Sequence, residues 1–286
     1  MLQYDLVSFD STYTKRLEAI LSAYQTWGGV FAARPDVTHR LDSSGLNHLY
    51  LLEGKGTRGR MVQAVLKINA SNDKALRVDR RRETTILQSL RNETIAPKLF
   101  YTDSHQGYSI TEYLDGRTWT KEDFNLPANM ERLYDLLQRF RVFTSVSKPF
   151  HYGQHLLFYW QQVKACRPDA AMDLASEWRQ FANRLNQLET PTQKAVLCHH
   201  DIHPGNIIEI DNSLRLLDWE YAANGHPIFD YIYIQQQIVN PEVTVFHDAI
   251  DALPVPDHGL FKEAIYWTNT LWHFINGQRL AKSEDS

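Results

Sequence analysis

Only two cysteines, Cys166 and Cys198, occur in 286 residues. Two thiols make no disulfide framework, so a reducing compartment is expected and the fold must rest on packing. Long apolar runs are missing too, since none approaches the ~18 residues of a membrane-crossing helix. The first residues, Met1 to Asp5, lack the basic segment followed by an apolar one that marks a secretory leader. A cytoplasmic protein with no membrane partner is therefore expected. Excess positive charge is absent as well: 30 Lys and Arg stand against 34 Asp and Glu, for a net charge of −4. Binding to a phosphate backbone leans on a basic surface, so no nucleic-acid partner is expected. The one basic cluster, Arg77 to Arg82, reads as the solvated start of a helix. No internal repeat or low-complexity stretch is visible.

What the chain does have is the composition of a globular protein, 43% hydrophobic and 22% charged. Its length exceeds the usual single domain enough to suggest two lobes. The most informative stretch is Val196 to Asn206, VLCHHDIHPGN, followed after a short hairpin by Leu216 to Glu220, LLDWE. Asp201 sits where the apolar run Ala195 to Cys198 gives way to a turn containing Pro204 and Gly205, so its carboxylate is offered from a loop at a strand end. Asn206 opens the next apolar run, Ile207 to Ile210, and Asp211-Asn212-Ser213 turns the chain back into Leu214 to Leu217. One residue begins the first strand and the other follows the second, so Asn206 and Asp218 come to the same end of the hairpin. Two such oxygen ligands suit Mg2+, which takes few protein ligands and leaves room for substrate phosphates. Asp201 is then free to orient an attacking hydroxyl, and the layout is that of a phosphoryl-transfer site.

This constellation, His199-x-Asp201 with Asn206 five residues on and then Asp218, resembles the catalytic core of the protein-kinase-like fold. More narrowly it is similar to the choline, ethanolamine, thiamine and aminoglycoside phosphotransferase group, whose loop reads H-x-D-x-x-x-x-N; here the string is HHDIHPGN. Protein kinases carry D-F-G after the hairpin. This chain has Asp218-Trp219-Glu220-Tyr221-Ala222, which looks like the choline and thiamine kinases, and Phe158 to Gln162, FYWQQ, also resembles bacterial thiamine kinases. The resemblance implies an α+β, bilobal protein-kinase-like fold: a small antiparallel-sheet N-terminal lobe over 1–113 with a leading helix, and a larger, mainly helical lobe over 114–286. It implies ATP and Mg2+ as cofactors, and His199 as support for the catalytic loop. Asp230, in Pro227 to Tyr231, matches the family's aspartate that steadies the same loop by hydrogen bonds.

Apolar periodicity fills in the frame. Tyr13, Leu17, Ile20, Leu21 and Tyr24 share a helical stripe that Gly28-Gly29 ends. Thr38 to Asp42, Leu46 to Glu53 and Met61 to Ile68 read as strands. The bend Ser43-Ser44-Gly45 would lie over nucleotide phosphates in a kinase-like lobe, offering N–H groups and two hydroxyls, although the G-x-G-x-x-G pattern of protein kinases is absent. Lys67 stands in an otherwise apolar run, and Glu83 shares a helical stripe with Ile86, Leu87 and Leu90. Each needs a partner. The economical solution is that they pair and hold the ammonium where it meets the α and β phosphates of ATP. An edge-strand role for Lys67 and an ion pair of Glu83 with Arg80 or Arg82 are the plainer readings. Lys98 to Tyr101 and Tyr108 to Tyr113 look like two more strands, and the backbone of Glu112, Tyr113 and Leu114 resembles the hinge that reads the adenine edge. Beyond it, Met130 to Phe143 and Met172 to Leu188 carry long amphipathic stripes.

The acceptor is the least legible part. Trp219, Glu220, Tyr221, Trp267 and Trp272 are candidates for an acceptor wall, because aromatic faces attract cations. Thiamine, choline and ethanolamine types, each with a primary hydroxyl, are the expected acceptors. The acids Glu220, Asp248 and Asp251 would instead favour an aminoglycoside. Two readings from other classes stand beside these: a metal-dependent phosphohydrolase using His199, His200 and His203, and a catalytically silent nucleotide-binding protein. The oligomeric state leaves no mark in the sequence.

Overall fold

Alternation along Met61–Ile68 puts Ala64, Leu66 and Ile68 on one face, and all three are fully buried. This strand, β3, is central to a five-stranded antiparallel sheet of β1 (Asp36–Arg40), β2 (His48–Lys55), β3, β4 (Leu99–Asp103) and β5 (Tyr108–Glu112). The order is β1-β2-β3-β5-β4. The structure, a computed structural model, describes residues 11–41, 47–143, 148–189, 195–254 and 257–277. Ser43, Ser44 and Gly45, expected over the nucleotide phosphates, lie outside the described residues. Helix α1 (Ser11–Ser22) supplies Ile20 and Leu21 to the core of this sheet, beside Trp27, Phe31, Tyr50 and Tyr108. The Trp27 indole N–H donates to the Tyr108 hydroxyl at 3.2 Å, so two buried polar groups satisfy each other. The first strand begins two residues earlier than its apolar pattern suggests. It is mostly exposed, and a bulge between Val37 and His39 breaks its alternation.

The sheet with its leading helix forms one unit, Met1–Ala70 and Lys98–Tyr113; Ser71–Pro97 and Leu114–Ser286 form a second, larger one. The fold is thus bilobal, an antiparallel-sheet lobe and a larger helical lobe, as in protein-kinase-like proteins. In the second unit lie α2 (Arg80–Ser89), the short β6 (Arg117–Thr118), α3 (Pro127–Arg141), α4 (Tyr152–Cys166) and α5 (Pro168–Ala182). They are followed by β7 (Val196–Cys198), the hairpin β8 (Ile207–Ile210) and β9 (Ser213–Leu216), β10 (Ala223–Gly225), α6 (Ile228–Gln235), α7 (Val245–Asp251) and α8 (His258–Ile275). Strand β10 pairs with β7, and β6 adds to the β8–β9 hairpin.

The stripe from Met172 to Leu188 is not one helix. Helix α5 stops at Ala182, and Leu185–Leu188 is a separate 3-10 turn, whose three-residue repeat places Leu185 and Leu188 in the core as an α-helix would. Met172 itself is 75% exposed, while Ala170, Ala171, Trp178 and Phe181 are buried.

Candidate active site

Strand β7 is buried and leads straight into the loop 199–206. The hairpin that follows closes through Asp211 and Asn212, whose φ values of 46° and 62° make the two-residue turn that matches strand twist. With Ile207 opposite Leu216, the Leu217 N–H reaches the Asn206 carbonyl at 2.8 Å. Asn206 and the residue before Asp218 are thereby joined at one end of the hairpin. Asp218 then takes a left-handed φ of 55° to enter the short turn Trp219–Tyr221.

Asp201 and Asn206 meet directly. The Asn206 side-chain amide donates to the Asp201 carbonyl at 3.0 Å and to its carboxylate at 3.2 Å. The Tyr233 hydroxyl donates to the other carboxylate oxygen at 3.4 Å. Burial, then the charges of Asp218 and Glu220, push the Asp201 carboxyl up to about 7, against the hydrogen bonds from Tyr233 and Asn206. Both contacts of Asn206 use its Nδ2, which leaves its Oδ1 unengaged by any described residue. A neutral oxygen beside mutually repelling carboxylates is a donor set that fits a hard cation such as Mg2+.

His199 is fully buried. Its Nε2 faces the Leu217 carbonyl at 2.8 Å, so that nitrogen carries the proton, and Nδ1 is buried without a partner. Burial pushes the ring down to about 4, leaving it neutral. The side chain ties the loop to the residue before Asp218. With no exposed surface it acts through position. His200 has a positive φ of 65°, and its backbone is pinned there by Asp230, whose carboxylate oxygens accept the N–H groups of His199 at 3.1 Å and His200 at 2.9 Å. The His200 Nδ1–H donates to the Tyr221 carbonyl at 3.2 Å, and Nε2 accepts from the Tyr152 hydroxyl at 2.8 Å. With His199 Nε2 and both His200 ring nitrogens engaged by protein groups, these residues do not make a transition-metal cluster. Among the described residues no three His, Cys, Asp or Glu side chains are grouped to hold a metal ion.

Arg80 organises the far side of the loop. It bonds both carboxylate oxygens of Asp73 at 2.7 and 2.8 Å, Glu83 at 2.9 Å and Glu220 at 2.8 Å. Burial works against its charge, but these acids hold it firmly protonated. Glu83 thus has the Arg80 ion pair that the plainer reading of the sequence foresaw. Lys67 lies opposite Leu49 and Ser109 in the sheet, on the face away from Leu66 and Ile68, and is only 9% exposed. At the end of β5 the Glu112 N–H donates to the Lys98 carbonyl at 2.8 Å. Leu114 is buried, and Tyr113 is half-buried.

Asp201 opens onto a cavity of ≈370 Å³ within the second unit. Among the described residues its walls carry seven Phe, Tyr and Trp rings, including Tyr221 and Trp272, and Asp201 is the only carboxylate in that lining. The Trp272 indole donates to the Tyr221 hydroxyl at 2.9 Å. Three other expected wall residues are not there. Trp219 is core, its indole donating to the Leu216 carbonyl and its ring packed on Phe140 and His199. Trp267 packs among Trp178, Phe181 and Trp160. Glu220 is held by Arg80. In their place stand Tyr152, His155, Leu156 and Tyr159 from one face of α4, and Ile265, Thr268, Asn269 and Trp272 from one face of α8. The spacing i, i+3, i+4, i+7 in each helix is the signal that marks these faces.

The architecture and the loop define a kinase-like class of protein, and comparison with known proteins narrows it. The chain belongs to the phosphotransferase enzyme family, whose model matches residues 38–260. It is 30% identical over 170 residues to human ethanolamine kinase 2, covering 54% of this chain and 42% of that protein. It is 32% identical over 71 residues to the thiamine kinase of Escherichia coli, covering 24% of each. The matched segments thus span less than half of either curated relative. Among solved structures, the choline kinase LicA from Streptococcus pneumoniae superposes with a TM-score of 0.67 at 19% identity, over 96% of this chain and 94% of that one. Plasmodium vivax ethanolamine kinase gives 0.67 at 16% identity, over 98% and 86%. The fold is that of small-molecule kinases, and family membership supports phosphotransferase activity in general.

Proposed function

We propose that this protein transfers the γ-phosphoryl group of ATP to a primary hydroxyl of a small cationic or heteroaromatic alcohol of the thiamine, choline or ethanolamine type. The observation that carries this reading is the aromatic cavity with Asp201 as its one acid among the described residues. Ring faces attract an onium or heteroaromatic cation by ~0.5 to 2 kcal/mol each. An aminoglycoside site would instead want several acids, and Glu220, Asp248 and Asp251 are absent from the lining.

In this reading Asp201 accepts or orients the hydroxyl proton of the acceptor, and its upward shift suits a base near neutral pH. Asn206 and Asp218 would hold Mg2+, which when bound neutralises phosphate charge. Lys67, braced by Glu83, would bind the α and β phosphates, with Ser43, Ser44 and Gly45 offering further donors. The backbone of Glu112, Tyr113 and Leu114 would read adenine, placing the lobe boundary at 113/114. His199 and Asp230 position the loop. Most of the rate gain would come from placement and charge neutralisation, because a loose, metaphosphate-like transition state asks little covalent help. The reaction needs no covalent enzyme intermediate, and a cytoplasmic setting with its ATP supply fits it.

The test is ATP consumption over choline, ethanolamine, thiamine, homoserine, sugars and aminoglycosides, with Asp201→Ala as blank. Turnover of a cationic alcohol is the expected result. Activity confined to aminoglycosides, or phosphate release that needs no ATP, would overturn it.

A further inference from the structure

The basic cluster Arg77 to Arg82 is more than a solvated helix start. Arg80 turns away to its three acids, whereas Arg77, Arg81 and Arg82 line a separate pocket of ≈460 Å³ together with Lys148. Asp79 is the only carboxylate in that lining among the described residues, and its Oδ1 already accepts the backbone N–H groups of Arg81 and Arg82 as the cap of α2. The donors left to a ligand are therefore side chains and not the helix end. No carboxylate among the described residues pairs with Arg77, Arg81 or Arg82. Two of these guanidiniums are held in place by ring faces: Arg77 lies over Phe158 at 5.3 Å and Arg82 over Phe150 at 6.0 Å. The Arg82 Nε is buried without a hydrogen-bond partner among the described residues. Asp79 and Glu83 act on Arg82 only at a distance. A set of guanidiniums lining one pocket without a direct ion pair, one carrying an orphaned N–H, is the donor pattern that a tetrahedral oxyanion satisfies.

We propose that this pocket binds a phosphate group, either on a free small molecule or on the acceptor itself. Phe150 and His155 line both this pocket and the aromatic cavity beside Asp201, so a phosphate seated here borders the acceptor. Burial and the neighbouring Arg77 hold His155 neutral, with its value down to about 3, so the shared wall adds no charge of its own. The second alternative, a phosphate carried by the acceptor, rests on the kinase reading above. The first does not.

The full-length protein is titrated with inorganic phosphate at about pH 8, where phosphate is chiefly a dianion, and its thermal unfolding is compared with chloride at matched ionic strength. A saturable upward shift is expected. Arg81→Gln combined with Arg82→Gln should weaken the apparent affinity about tenfold, as loss of charge-assisted hydrogen bonds does. Arg81→Gln alone, at an exposed side chain, should weaken it in the same direction with an unchanged far-UV circular dichroism spectrum. Asp218→Asn should leave the titration as in the wild type. No saturable shift, equal titrations in wild type and double variant, or loss only in Asp218→Asn would overturn the proposal. A kinetic arm separates the two sources. In acceptor pairs with and without a phosphate ester, a higher KM in Arg81→Gln for the phosphorylated member alone supports an acceptor-borne phosphate. Unchanged KM values together with lost phosphate binding support a separate ligand. The unfolding readout needs no turnover, so a failure of the kinase reading would be seen apart from a failure of the pocket.

Discussion

Asp230 accepts the backbone N–H of His200 at 2.9 Å, and His200 holds the left-handed φ of 65° that sends the chain on to Asp201. The same carboxylate takes the His199 N–H, and Asp230 is fully buried. Removing it strands two donors, one buried and one part-buried, at the residues just before the proposed base. Asp230→Ala should cost about 2 to 4 kcal/mol in urea unfolding, from ~1 to 3 kcal/mol per orphaned group with partial relaxation. Asp230→Asn, which keeps one acceptor oxygen, should recover part of that loss and of turnover. Equal stability of Asp230→Ala and wild type would refute the role.

Asp201→Asn should separate binding from chemistry. The amide keeps the size of the carboxylate, so the ATP affinity measured by calorimetry should stay within a few-fold of wild type. Turnover should fall about 10²- to 10⁴-fold, the range for a positioned general base. Normal turnover in this variant would contradict the assignment of Asp201.

How far the site was legible follows from how its parts are held. Asp201, Asn206 and Asp218 are placed by a strand, a loop and a hairpin that are consecutive in the chain, so local apolar runs and turn residues were enough to bring Asn206 and Asp218 to one end. The post-hairpin residue Asp230 was legible only through resemblance, since nothing local points it back at the N–H groups of His199 and His200. The cavity walls come from α4, α6 and α8, far off in sequence, and appear there only as helical stripes. A stripe facing a cavity has the same period as one facing a core. That is why Trp219 and Trp267, chosen for their ring chemistry, turned out to be packed inside, while Tyr152 and Tyr159 of α4 were passed over. Charge runs are similarly mute: nothing in Arg77 to Arg82 says that Arg80 alone faces three acids.

Tyr233 should tune the base. Its hydroxyl bond favours the ionised Asp201, so Tyr233→Phe removes a contribution that lowers the carboxyl's pKa. Because a base works ionised, the rate falls as pH drops through that value. The acid limb of the pH profile of kcat/KM should therefore move to higher pH in Tyr233→Phe. A profile superposable on wild type would mean that the 3.4 Å contact does not act on Asp201 in the working enzyme.

Trp272 and Tyr221, linked by their 2.9 Å hydrogen bond, should set preference for cationic acceptors. Loss of one ring face worth ~0.5 to 2 kcal/mol corresponds to a rise of roughly two- to thirtyfold in KM. Trp272→Leu should show that rise for a quaternary ammonium alcohol and a smaller one for an uncharged alcohol of similar size. Equal effects on both would assign Trp272 to packing alone.

Three histidines, His155 and His199 buried and His200 half-buried, make stability depend on pH. Burial pushes His155 and His200 down to about 3 and His199 to about 4. In the unfolded chain each regains a value near 6.5. The folded state therefore refuses protons that the unfolded state binds, so their contribution is fully present above about pH 6.5 and is lost as pH falls toward those folded values, by about 1.4 kcal/mol per unit for each ring. Asp201 and Asp230, both raised by burial, act in the opposite sense, because the folded state takes up their protons first. Comparison of His155→Gln with wild type isolates one ring from this sum. Losing the ring contacts with Tyr159 and Phe150 lowers the variant's stability at pH 8, yet its unfolding free energy should fall less steeply, by about 1.4 kcal/mol per unit between roughly pH 6 and 4. Parallel curves for the two proteins would show that His155 is charged in the folded state, and with it that the wall of the cavity is wetter than its burial implies.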